Sequence, residues 1–100
     1  MEFGTVTQTE SQKRSLTLRG TQDFNINSTR VELNVNGDRV KDSSGAIKVE
    51  VVPSDVQKKV VSIEVLNNLK KIGSVHGRIF LETSDAAQKE IAVDFYAFFK

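Results

Sequence analysis

The sequence predicts an all-β protein built as an antiparallel β-sandwich of about seven short strands. Two observations predict this class: apolar side chains recur at every second position in six separate stretches, and residues typical of tight turns separate those stretches. Successive side chains of a strand point to opposite faces, so each stretch has one apolar face and one polar face. A closed barrel is the alternative, because it also covers the apolar face of a sheet.

Each predicted strand is marked by its apolar set. In chain order the sets are Leu16 and Leu18; Val31, Leu33 and Val35; Ile47, Val49 and Val51; Val61, Ile63 and Val65; Ile79 and Leu81; and Ile91, Val93 and Phe95. Polar and charged residues fill most of the intervening positions. This alternation is typical of antiparallel strands that are buried on one face only.

Turn-forming residues separate the strands, because Gly and Asn tolerate positive φ and Pro fixes φ near the value of a turn. The turns are predicted at Asn36-Gly37-Asp38, Asp42-Ser43-Ser44-Gly45, Pro53-Ser54-Asp55, Asn67-Asn68, Gly73-Ser74 and Thr83-Ser84-Asp85, with a hairpin tip at Ala86-Ala87-Gln88. The segment from Leu66 to Ile72 has a faint helical spacing and is expected to be a loop or one helical turn. Six or seven such strands favour an immunoglobulin-like antiparallel β-sandwich.

Length and charge limit the partners. One hundred residues suffice for one core, so we expect a single domain over residues 1–100, excised from a longer protein. The 14 Lys and Arg and the 13 Asp and Glu are interspersed, which gives no field to attract nucleic acid or an anionic membrane. No apolar run approaches the roughly 20 residues of a membrane span, so no membrane insertion is expected. The absence of Cys excludes disulfides and thiolate metal sites.

A family resemblance covers nearly the whole chain. Its residues are the opening Glu2-Phe3-Gly4-Thr5-Val6, the strand Arg14-Ser15-Leu16-Thr17-Leu18 with the following Phe24-Asn25-Ile26, and the close from Gly73 to Ile79 and from Ile91 to Phe95. In these features the chain resembles the ASH (hydin-type) branch of immunoglobulin-like domains, relatives of the major sperm protein fold. The resemblance implies a non-catalytic interaction or spacer module of a longer protein, in a bacterial envelope or in a eukaryotic cilium or centrosome. The compartment itself stays open.

Residues for catalysis are sparse, so we expect no enzyme, no cofactor and no metal. His76 is the only histidine, which excludes a multi-His metal site. By alternation it faces solvent together with Arg78 and Phe80. Loop carboxylates could hold Ca²⁺, but the spacing of Asp38, Asp42 and Asp55 fits no calcium loop, so they are expected to be solvated turn residues.

The remaining charges are expected on the exterior. The carboxylates at polar positions of the alternation are Glu32, Glu50, Glu64, Glu82 and Asp94. Two small basic pairs, Lys58-Lys59 and Lys70-Lys71, are expected to be solvated ends of loops. Neither set predicts a reaction centre, which would need a pocket that shifts one pKa away from its neighbour's.

The last two strands break the alternation and supply the candidate interface. Tyr96 and Phe98 place rings where charges are expected, and Phe80 does the same on the preceding strand. In a hairpin, Phe80 would stand beside Tyr96 or Phe98 as a cross-strand neighbour, on the face of His76 and Arg78. An exposed apolar patch on a soluble domain often marks a contact site.

Three alternatives stay open for this surface. The 66–72 segment or the N-terminal strand could cover it, it could be the seam with a neighbouring domain, or an edge strand could bind a partner strand instead. The predicted function is a non-catalytic protein-interaction or structural spacer module. Its partner is another protein or a neighbouring domain of the parent protein, and weak self-association is a further possibility. The alternative function is a carbohydrate- or ligand-binding sandwich module that uses loop Asn, Asp and Lys side chains.

Overall fold

The computed structural model describes residues 1–20, 22–40, 45–55 and 57–100, which form two β-sheets and no helix. This part of the chain contains eight strands. They are β1 (Glu2–Val6), β2 (Gln12–Arg19), β3 (Ile26–Val35), β4 (Asp38–Val40), β5 (Ile47–Asp55), β6 (Lys58–Val65), β7 (Gly73–Thr83) and β8 (Glu90–Phe99). The all-β, two-sheet prediction is confirmed, while the expected number of strands is one too low.

The larger sheet has the order β1-β8-β7-β3-β4 and the smaller one has the order β2-β6-β5. Every neighbouring pair is antiparallel except β1 and β8, which run parallel. Alternation did not reveal two of the strands, β1 and β4. In β4, three residues are too few to show a period of two. In β1 the alternation is broken by an irregular register between Glu2 and Thr5, where Gly4 has a φ of 68°.

Both sheets contribute to one apolar core. Its fully buried members include Phe3, Val6, Leu33, Val61, Ile63, Val65, Ile79, Leu81, Phe95 and Phe99. The ring of Phe3 packs edge-on against that of Phe95, with 5.8 Å between centroids. The predicted inward positions are confirmed, and those near the sheet edges, such as Leu16 and Val93, are only partly buried.

One inward position of β7 holds no side chain. Gly77 pairs with Leu33 on one side and with Phe95 on the other, at the centre of the larger sheet. The ring of Phe95 lies over Gly77, so that a Cβ built there would meet ring carbons at 2.0, 2.3 and 2.8 Å. The space that a side chain at this position would fill is therefore occupied by the ring of its cross-strand partner.

The turns agree with the sequence in part. Asn36 and Gly37 join β3 to β4 with φ values of 52° and 85°, as their residue types predict. The turn predicted at Pro53-Ser54-Asp55 is wrong, since β5 continues to Asp55 with an irregular register after Pro53. A proline is tolerated in an edge strand because the backbone N–H that it lacks is not needed to bond a further strand. Three residues of the turn predicted at Asp42-Ser43-Ser44-Gly45 lie outside the described residues, and Asp42 is one of them.

The segment between β6 and β7 is a loop, which is one of the two predicted outcomes. Its buried anchor is Asn67, which is 2% exposed. The Asn67 side-chain amide donates to the carbonyl oxygens of Lys71 at 2.8 Å and Lys100 at 3.4 Å, and its oxygen accepts the Lys71 N–H. The loop is thereby tied to the end of β8.

The prediction that Lys59 is a solvated loop residue is wrong. It lies within β6 and is only 5% exposed, opposite Leu18 on the inner face. The ammonium nitrogen lies 5.0 Å from the ring centroid of Phe24. A lysine can occupy such a place because its aliphatic stem packs against apolar groups while the charged end contacts an aromatic face.

Candidate interaction surface

The outer face of the larger sheet is ordered in rows across its strands. His76 of β7 pairs with Asn34 of β3 and with Tyr96 of β8. Since cross-strand partners point to the same side of a sheet, these side chains share the outer face. Further rows on the same face are Glu32-Arg78-Asp94 and Arg30-Phe80-Ala92, and Ser74 pairs with Phe98.

Two aromatic side chains project from β8. The exposed fraction is 43% for Tyr96 and 46% for Phe98. The imidazole of His76 stacks on the Tyr96 ring with 4.9 Å between centroids and 10° between planes. The prediction that His76 faces solvent is confirmed, and its stacking fixes the orientation of the tyrosine ring.

The predicted pairing of Phe80 with Tyr96 or Phe98 is wrong. Phe80 lies opposite Ala92, and the row of Arg78 separates it from the row of Tyr96. The guanidinium of Arg30 sits 4.1 Å from the centroid of the Phe80 ring. Phe80 is therefore half-buried beneath a cation, and the exposed aromatic area is restricted to Tyr96 and Phe98.

Ion pairs occupy the middle of the face. Arg78 Nε donates to Asp94 Oδ1 at 2.6 Å, and this hydrogen bond raises the pKa of Arg78 and lowers that of Asp94. Glu32 accepts from Arg30 at 3.3 Å and from Arg39 at 3.2 Å. These pairs are solvent-exposed, so they order the surface without adding much stability.

The geometry does not support the alternative that the N-terminal strand or the 66–72 segment covers this face. The strand β1 lies beside β8 in the plane of the sheet, with Glu2 opposite Tyr96 and Thr5 opposite Phe98. The 66–72 loop does not bury the rings either, because about half of each stays exposed. The loop's own Ile72 is itself exposed, and its carbonyl oxygen accepts a hydrogen bond from the Asn36 side chain.

A shallow groove runs along β7 next to the aromatic pair. It is lined by Tyr96 and His76 together with Asn34, Gly37 and Ser74. The alternation did not predict that Asn34 and Gly37 line it, because Asn34 meets His76 through a strand pairing distant in sequence. The Asn36-Gly37 dipeptide predicted the turn but not which residues of β7 and β8 would lie near it.

A second depression lies at the opposite end of the molecule, where β2 ends and the β7–β8 hairpin turns. It has a volume of about 170 Å³, and Leu18, Phe24 and Ile91 are among its lining residues. Its polar groups are engaged within the loop: the Thr83 hydroxyl donates to the Gln88 carbonyl and accepts the Asp85 N–H.

Across residues 1–20, 22–40, 45–55 and 57–100, no three His, Asp or Glu side chains gather into a set that could hold a metal ion. Nor does this part of the chain contain a helix long and apolar enough to cross a bilayer.

No protein-family model matches the chain, and no curated protein matches it. The case for a function therefore depends on the geometry of the outer face.

Proposed function

We propose that this protein is a non-catalytic protein-interaction or structural spacer module, and that the outer face of the larger sheet is its contact surface. The observation that carries the proposal is the exposure of Tyr96 and Phe98, at 43% and 46%, beside a core already closed by Phe3, Phe95 and Phe99. The two rings are not needed to fill the interior. Rings left on a surface in this way are typical of protein contact sites, where aromatic residues are enriched.

We propose further that the sandwich is of the immunoglobulin-like type, in the ASH branch. The strand order supports this type. In immunoglobulin domains the strands B, E and D form part of one sheet and C, F and G form the other. The order β2-β6-β5 corresponds to B-E-D, and β3-β7-β8 corresponds to C-F-G, with β4 added beside C. The ASH branch itself depends on the resemblance in sequence.

The environment of the ionisable groups supports the proposal that the module is non-catalytic. The single histidine is exposed and stacked on Tyr96. The raised pKa of Arg78 and the lowered pKa of Asp94 arise from each other, in an exposed ion pair. Active sites, in contrast, shift pKa values by burial and place the shifted group in a cleft.

A carbohydrate- or ligand-binding module is the second candidate, and the depression near Phe24 favours it. A volume of about 170 Å³ accepts a molecule of about one six-membered ring. Its aromatic residue, Phe24, is buried rather than presented to a ligand. Titration with monosaccharides, followed by chemical shifts of the residues that line the depression, tests this candidate directly.

The proposed function is tested by comparing the double variant Tyr96→Ser/Phe98→Ser with Val52→Ser. Val52 is a matched control, because it is 44% exposed but lies on β5 of the other sheet. We expect both variants to change the free energy of unfolding by about 1 kcal/mol or less, since surface residues contribute little to stability. In capture experiments from the source cells, a protein bound by the unmodified chain and by Val52→Ser should be lost with the double variant.

Two results would contradict the proposal. If the double variant unfolds with a loss of about 3 kcal/mol or more, the rings belong to the core. If all three forms capture the same proteins equally, the contact surface lies elsewhere.

A further inference from the structure

The edge of the larger sheet beside β1 is covered along only part of its length. β1 pairs with the end of β8 from Tyr96 to Phe99. Met1 extends this contact to Asp94, whose carbonyl oxygen accepts a bond from the Met1 amino group at 3.0 Å. From Glu90 to Val93, which we call the free stretch of β8, no strand in the described part of the chain pairs with β8 on this side.

Backbone groups of the free stretch point outward at every second residue. The Tyr96 N–H donates to the Met1 carbonyl oxygen at 2.9 Å, so the backbone of Tyr96 faces the side of β1. The backbone groups of alternate residues in a strand point to the same side, which applies to Asp94 and Ala92. The N–H and carbonyl oxygen of Ala92 are therefore directed away from β7, where a further strand in line with β1 would bond them.

Behind the free stretch, apolar side chains lie partly uncovered between the two sheets. In the part that β1 covers, the Phe3 ring contacts that of Phe95, and its centroid lies 5.7 Å from the Arg14 guanidinium of β2. Four residues away on each strand, Ile91 of β8 and Leu18 of β2 line the depression of about 170 Å³. The apolar residues that border this gap are only partly buried, namely Leu16, Leu18, Ile91 and Val93. One further apolar side chain inserted here would remove their surface from water, as Phe3 does for its own neighbours.

The other sheet edges have features that hinder the addition of a strand, such as shortness, irregularity, prolines and inward-pointing charges. β4 has three residues, β1 is irregular at Gly4, and β5 contains Pro53. On β2, Arg14 occupies an inner-face position opposite Ile63. The free stretch of β8 has none of these features, because its pairing with β7 is regular, its inward residues are apolar and Pro53 is the only proline of the chain. It is therefore the edge at which a further strand meets least resistance.

We propose that the free stretch of β8 binds an extended segment of a partner protein, which joins the larger sheet as a parallel strand in line with β1. The site lies on the edge of the sheet, so the inference goes beyond the aromatic contact surface and does not depend on it.

The argument for this occupant is β1, which runs parallel to β8 and inserts the Phe3 ring between the sheets. The next occupant along this line must bring backbone donors and acceptors for Ala92 and an apolar side chain for the gap between Leu18 and Ile91. An extended polypeptide with apolar residues at alternate positions combines both, as in other cases where a peptide adds to a sheet edge.

Two peptides of identical composition test the proposal on the full chain. The probe is acetyl-Lys-Val-Thr-Val-Thr-Val-Lys-amide, and the control is acetyl-Lys-Val-Val-Val-Thr-Thr-Lys-amide. We expect the probe to bind saturably below about 1 mM and the control about tenfold more weakly, because only the probe places its apolar side chains on one face of a strand.

Hydrogen exchange of the backbone amides identifies the edge that is occupied. With about nine-tenths of the chain bound to the probe, the amides of Ala92 and Asp94 should exchange about tenfold more slowly, because they are exposed only in the free fraction. The amides of Ile91 and Val93 point to β7 and should change little. Equal slowing of all four amides, or none, would overturn the proposal.

A blocked edge provides the matching variant. Ala92→Pro removes an N–H that points away from β7, so it should keep the fold and raise the Kd of the probe about tenfold. The control is Ala86→Pro, which should leave this Kd unchanged. Ala86 is the second residue of the turn closed by the bond from the Gln88 N–H to the Asp85 carbonyl oxygen, a position that accepts proline.

Three results contradict the proposal: no binding of the probe at millimolar concentration, equal binding of the two peptides, or equal binding by the two proline variants. If Ala92→Pro fails to fold, the exchange pattern of the unmodified chain still decides. None of these results affects the proposed function, which is tested on the separate face that carries Tyr96 and Phe98.

Discussion

Replacing Gly77 with alanine tests how the core of the larger sheet is packed. The φ of Gly77 is not positive, so the backbone accepts an alanine. In open space the substitution would stabilise the protein by about 0.4–1 kcal/mol, because alanine restricts the unfolded chain. In this core the new methyl group would lie 2.0 Å from Cζ of Phe95, where ordinary contact begins near 3.4 Å.

The ring of Phe95 would have to retreat by more than an ångström, and it has little room to do so. It is fully buried and packs in a T-shaped arrangement against the ring of Phe3. Overpacking of this kind costs about 1–3 kcal/mol. We therefore expect Gly77→Ala to lower the free energy of unfolding, with a fall in Tm of about 4–8 °C for each kcal/mol in a domain of this size.

Urea unfolding followed by far-ultraviolet circular dichroism measures the effect, since the chain has no Trp to report by fluorescence. The matched background is Phe95→Leu, whose smaller side chain vacates the space above position 77. In that background Gly77→Ala should cost less by about 0.5–3 kcal/mol, the coupling typical of residues in contact. A Gly77→Ala variant as stable as the unmodified chain, or an equal cost in both backgrounds, would refute the packing argument.

Two further predictions concern polar contacts. Asn67→Ala should destabilise the protein by about 1–3 kcal/mol in the same urea assay, because Asn67 is 2% exposed and its side chain bonds both the N–H and the carbonyl oxygen of Lys71. Asn68→Ala, at the exposed neighbouring position, should change stability by about 0.5 kcal/mol or less, and equal effects would contradict the role of Asn67. The hydrogen bond from Arg78 holds the pKa of Asp94 below its usual value near 3.8, so this carboxylate adds stability above that value and loses it as the pH falls through the lowered pKa. Urea midpoints measured from neutral pH to below pH 3.8 should therefore show Asp94→Asn less stable than the unmodified chain at neutral pH and converging with it in acid, and a constant difference across this range would contradict the ion pair.

Much of the strand content follows from local pattern. Alternation located the six strands that carry its apolar sets, and it placed residues such as Leu33, Ile63 and Ile79 in the interior. Such a pattern can be recognised in a single sequence because the period of two is a property of the strand itself. Strands with too few regular positions, such as β4, give no such signal. The burial of Lys59 was not predicted, because the alternation classifies lysine as polar by its charge and takes no account of its long aliphatic stem.

Which side chains meet on the surface was decided by the tertiary structure. The residue pattern assigned Tyr96, Phe98 and His76 to the outer face of the sheet but left open whether that face was covered. It also could not tell that Phe80 lies two rows away from Tyr96 under Arg30. Nor could it predict that Asn34 and Gly37 line a groove together with Tyr96. Cross-strand register depends on turn geometry and bulges between segments that are distant in the chain. The sequence by itself therefore determined the alternation of inner and outer positions in most strands, because that period is local to each strand. Only the pairing of β3, β7 and β8 determined which of the outer residues form one surface.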